Sequence, residues 1–77
     1  MRISKNDNIK AMLRNAEGRA LVCVYDCDFH SIGEIIQRCR QEYFDEKNTW
    51  IQEGTVQITK WCGSGETETY NLKGRKQ

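Results

Sequence analysis

Asp26, Asp28 and His30 stand as D-x-D-x-H, with Cys27 between the acids and Cys23 shortly upstream, the densest gathering of metal-binding and acid/base residue types in the chain. Carboxylates alternating along one strand face suit a hard cation such as Mg²⁺, so Asp26, Asp28 and His30 form the metal reading of this run. A general acid/base role for His30 needs a positioned partner, and Asp28 is the nearest candidate. Zinc fits less well. Strong zinc sites pair cysteines across a tight turn, whereas Cys23 and Cys27 lie in an extended run, roughly 13 Å apart at about 3.3 Å per residue. Cys27 beside His30 is the one approach to a thiol nucleophile, which requires a thiolate stabilised by a cation or helix N-terminus and a base aimed at it. No Gly-rich phosphate loop accompanies these residues, and acids at this position also mark where a strand leaves the core. The expectation is therefore a non-enzymatic chain with no cofactor.

Two binding surfaces compete with that chemistry. Lys60 and Trp61, followed by Lys73, Arg75 and Lys76, place an aromatic next to cations, the pairing that single-strand and RNA binders use for stacking and phosphate contact. Glu66 and Glu68 on the same hairpin oppose it. An uncovered sheet face carrying Val22, Val24, Thr59 and Trp61 would instead be an apolar interface for a second copy or a protein partner. The leading expectation is an interaction or regulatory module that self-associates through this open face. Nucleic-acid binding through the basic hairpin and tail is the alternative, and a metal- or thiol-dependent enzyme at the Asp26, Asp28 and His30 strand end comes third.

Composition narrows the field without naming a partner. The sequence has 77 residues, 38% hydrophobic and 30% charged, and 12 basic against 11 acidic side chains leave a net charge of +1. That length supports one small α+β domain, residues 1–77, with frayed ends at 1–5 and 74–77. A balanced charge supplies no long-range field for polyanions, so any basic site must be local. The first residues carry no apolar signal core and no window approaches the roughly 18 apolar residues of a membrane span, which makes a cytoplasmic location without membrane contact the expectation. In that compartment the four cysteines, Cys23, Cys27, Cys39 and Cys62, read as free thiols.

Periodicity supplies the elements that would position these residues. Ile9, Met12, Leu13 and Ala16 recur at helical spacing, predicting a first helix over about Asp7 to Glu17 with Gly18 as its left-handed cap. Arg19 to Asp28 reads as a strand rich in β-branched and aromatic residues. Ser31-Ile32-Gly33-Glu34 has the S-x-x-E form of a capping box, opening a second helix that carries Ile32, Ile35, Ile36, Cys39 and Tyr43 on one stripe and ends near Phe44 or Asp45. Trp50 and Ile51 are open between a short strand and an anchor. Gly63-Ser64-Gly65 predicts a hairpin pairing Lys60 with Glu68, Ile58 with Tyr70 and Val56 with Leu72. Assembled, the fold class is α+β, a two-layer αβαββ sandwich. Its three-stranded, mainly antiparallel sheet has order 1-3-2 and both helices on one face.

Overall fold

The computed structural model describes residues 1–77 and shows one helix packed on a four-stranded antiparallel sheet. In chain order the elements are β1 (Ile9–Arg14), β2 (Ala20–Asp26), α1 (Ile32–Lys47), β3 (Thr55–Lys60) and β4 (Thr67–Asn71). The sheet order is β2-β1-β3-β4. This corrects the expected three-stranded sheet with two helices.

The correction lies in residues 9–14. Their apolar positions satisfy two periods at once: Ile9, Met12 and Leu13 fit a helical stripe, while Ile9, Ala11 and Leu13 alternate. The strand prevails because it lies between β2 and β3 as an inner strand, where Ile9, Ala11 and Leu13 are fully buried beneath α1 and Lys10, Met12 and Arg14 point to the other face. A strand paired on both edges has its backbone groups bonded alternately to its two neighbours and one face packed under a helix, enough to override a weak helical propensity. Gly18 is then a hairpin residue. The Asn15 side chain accepts from the backbone N–H of Glu17 and of Arg19, and Gly18, at φ 87°, turns the chain from β1 into β2. A bulge beside Leu13 and Arg14 leaves Leu21 as the extra residue of β2.

Helix α1 starts where the capping motif places it. Ser31 Oγ accepts from the Glu34 N–H at 3.1 Å, satisfying one of the donors that a helix start leaves free. The helix ends at Asn48, which takes the left-handed conformation and donates its N–H to the Phe44 carbonyl. Ile35, Ile36 and Cys39 bury its inner stripe against Ile9, Ala11, Leu13, Val24, Val56, Ile58 and Tyr70. Ile51 is an anchor in this core, and Trp50 stacks outside it on Phe44 with ring centroids 4.4 Å apart. The adjoining Gly54 backbone runs so close to β1 that a Cβ there would meet the Arg14 carbonyl oxygen at 2.3 Å.

The final hairpin keeps its faces but shifts its partners by two residues from the expected register. Val56 pairs with Tyr70 and Ile58 with Glu68, because the loop is wider: Lys60 donates to Glu66, and Gly65, left-handed at φ 74°, donates back to Lys60. A shift of two preserves side-chain parity, so Val56, Ile58 and Tyr70 still share the helix side. Residues 75–77 return along β4. Asn71 donates to Arg75, Gln77 donates to Thr69, and Tyr70 bridges Lys76. Glu68 fastens this end: its carboxylate accepts from the Met1 ammonium at 2.8 Å and from the Tyr70 hydroxyl at 2.5 Å, and it pairs with Lys76 at 3.1 Å. Met1 and Ile3 pack against the core. No helix is long and apolar enough to cross a membrane.

Candidate functional site: the uncovered sheet face

Because α1 covers one side of the sheet, alternate residues of every strand face away from it. On β1 these are Lys10, Met12 and Arg14; on β2, Cys23 and Tyr25; on β3, Gln57 and Thr59; on β4, Thr67 and Thr69. Val22 and Val24 do not belong to this set. They pair with Leu13 and Ala11, and Val24 is buried under the helix. The expected interface of Val22, Val24, Thr59 and Trp61 is thus split between the two sides of the sheet, because adding β1 as a neighbour turns the valines inward.

What the open face presents is an aromatic pair bordered by cations. Trp61 follows β3 at the turn, its N–H donating to the Asn8 carbonyl, and its ring meets Tyr25 edge to face at a centroid distance of 6.0 Å. Lys10 Nζ lies 5.9 Å from the centre of the Tyr25 ring. Tyr25 is 59% exposed and Trp61 52%, so about half of each ring remains free to contact a ligand. Arg14 stands four residues beyond Lys10 along β1, its guanidinium donating to the Gly18 carbonyl. Between Lys10 and Arg14 a depression of about 130 Å³ is lined by Met12, Gln57 and Thr59. No strand position of this face holds an Asp or Glu, although the chain has 11 of them. Sequence reasoning missed Lys10 and Tyr25 as a pair because it placed them in different layers. The alternation of Ile9, Ala11 and Leu13 against Lys10, Met12 and Arg14 was the available signal.

The cations expected to bind nucleic acid are disposed differently. Lys60 lies on the helix side, 3.4 Å from Asp7 and 4.0 Å from Glu66. The backbone N–H of Ser4 and then Lys60 hold the Asp7 carboxyl below its usual range. Lys76 is paired with Glu68 on the β4 edge. Lys73 and Arg75 line a cleft with Gln52, Glu53 and Asn71, away from Trp61.

At the end of β2 the structure gathers Asp26, Cys27 and Asp28 within 4.8 Å and leaves His30 out. The strand stops at Asp26, so the expected alternation of two acids and a histidine is replaced by a turn. Asp26 Oδ1 accepts from the backbone N–H of Cys27 at 2.7 Å and of Asp28 at 3.1 Å, and its other oxygen faces Arg38 at 3.4 Å. One acid of the proposed metal set is thereby engaged in folding the turn. Cys27 contacts Asp28 at 4.0 Å, a carboxylate rather than the cation that a thiolate nucleophile requires. Of the four thiols, Cys23, Cys27 and Cys62 are exposed, while Cys39 is buried and pushed up to about 12 by burial. No protein-family model, curated protein or solved structure matches the chain.

Proposed function

We propose that the chain is a binding module whose uncovered sheet face takes single-stranded nucleic acid. The observation that carries this reading is the exposed Tyr25 and Trp61 pair beside Lys10 on a face without carboxylates. Aromatic faces stack on unpaired bases of any sequence, and nearby ammonium and guanidinium groups meet the phosphates that follow each base. Duplex DNA or RNA keeps its bases stacked inside and offers nothing to these rings. The face therefore selects for unpaired strands through Tyr25 and Trp61, with Lys10 and Arg14 as phosphate contacts. With Val22 and Val24 turned to the helix side, this face offers a protein partner less apolar surface.

Fluorescence anisotropy with labelled single- and double-stranded oligonucleotides, at two salt concentrations, tests the proposal. Single strands should bind and weaken as salt rises. Trp61→Ala should reduce affinity by roughly 5- to 150-fold, the range set by about 1–3 kcal/mol per stacked base. Lys10→Gln should flatten the salt dependence. Equal affinity for duplex, or no binding at low salt, would rule the function out.

A further inference from the structure

The two edges of the sheet are treated differently. On β4 the outward Asn71 N–H and Thr69 carbonyl are taken up by Arg75 and Gln77. The other edge is β2, and no backbone or side-chain hydrogen bond from outside the sheet reaches Leu21, Cys23 or Tyr25. Sheet edges are ordinarily protected by lysine, proline or a covering segment. Ala20–Asp26 has none of these; its one protective feature is the bulge at Leu21, beyond which it reads Val-Cys-Val-Tyr before its closing acid.

We propose that β2 is a dimerisation edge, where two copies of the chain pair antiparallel about a two-fold axis through Cys23 and merge their sheets into one. The register follows from which backbone groups are free. Trp61 donates to Asn8 within the β1–β3 ladder, so Asn8, Lys10 and Met12 direct their backbone bonds to β3, and Ile9, Ala11 and Leu13 direct theirs to β2. Their partners Val22, Val24 and Asp26 therefore bond inward, and Cys23 and Tyr25 aim their N–H and C=O groups outward. Only outward residues can bond across a new ladder. Cys23 thus lies opposite Cys23 of the second copy, or opposite another outward residue, and both helices fall on the same side of the joined sheet.

Centring the pair on Cys23 is favoured over its neighbours by side chains. It sets Val22 against Val24 of the second copy, twice by symmetry, on the helix side of the joined sheet. A register centred on Val24 would place Asp26 against Val22. Charge agrees as well: Arg19 has no ion pair within its own chain, nor has Asp28, and the Cys23-centred register brings Arg19 beside the Asp26 to Asp28 turn of the second copy. The joined sheet also places two Tyr25 residues on one continuous open face.

Sedimentation equilibrium of the full chain over a concentration series tests this. The mass should rise from 9.0 kDa toward twice that value across roughly micromolar to millimolar concentrations, as expected of an interface under about 1,200 Å². Cys23→Pro removes an outward N–H and should leave a folded monomer, checked by an unchanged circular dichroism spectrum. Should that variant fail to fold, Cys23→Lys serves the same purpose by placing like charges opposite each other. In a chain with Cys27→Ser and Cys62→Ser, a short bifunctional thiol reagent should link two copies through Cys23. Arg19→Glu should weaken the dimer at least several-fold, with recovery on adding Asp28→Arg. A monomer at every concentration overturns the proposal, as does a dimer that survives both Cys23 variants.

Discussion

The carboxylate of Glu68 is held by three partners, and its titration should be visible in stability. The Met1 ammonium, then the Tyr70 hydroxyl and Lys76, lower it from an ordinary 4.5 to about 2. A depressed carboxyl contributes stability that is complete above its unfolded value and lost as pH falls from about 4.5 toward about 2. Chemical denaturation followed at pH 6, 4, 3 and 2 should show this loss in the native sequence and a shallower one in Glu68→Gln. Gly54 gives a second test at this scale. Gly54→Ala should destabilise by ~2–4 kcal/mol, since the added Cβ collides with a backbone oxygen of β1, whereas Gly18→Ala, facing open space at positive φ, should lose only about 1 kcal/mol. Thermal unfolding of both variants measures the difference. Neither role was legible from residue type: Gly18 signals a left-handed turn, but only the fold shows that it ends a strand rather than a helix. Asp26 and Asp28 were recognisable as a cluster, yet the turn that joins them through Cys27 and excludes His30 depends on where β2 stops.

Elements whose signals were local were readable, and those depending on distant neighbours were not. Ser31 with Glu34 announces α1 because capping involves residues three apart, and Ser31→Ala should lower stability by about 1 kcal/mol, measured by urea titration. The β3–β4 hairpin was legible in its faces, while its exact pairing depended on whether the loop closes at Cys62 or Lys60. β1 is the opposite case, since its short apolar pattern fits either period and is decided by β2, β3 and α1. Ala11 separates the two outcomes. On a helix spanning residues 7–17 it falls outside the apolar stripe and tolerates a larger side chain. In the sheet it is fully buried under α1, so Ala11→Leu should lose about 1–3 kcal/mol by overpacking, again read from urea titration. The candidate face inherits this dependence: Trp61 was visible in the sequence, but its neighbours Tyr25 and Lys10 became neighbours only once β1 entered the sheet.

For the whole molecule, the core is one layer of side chains between α1 and the sheet, and two of its members resist ionisation. Burial raises Tyr70 and Cys39 to about 12 each, from 10.0 and 9.0. Groups raised in the folded state contribute stability present below their unfolded values and lost as pH climbs to their folded ones. Unfolding midpoints should therefore fall between about pH 9 and 12, and Tyr70→Phe should flatten the upper part of that decline. The strap formed by residues 75–77 has a further consequence for how large an assembly can become. A sheet with two free edges adds copies without end, as fibrils do, whereas one with a single free edge stops at a pair. By occupying the Thr69 carbonyl and the Asn71 N–H, the strap would act as a chain terminator if copies pair through β2 as proposed.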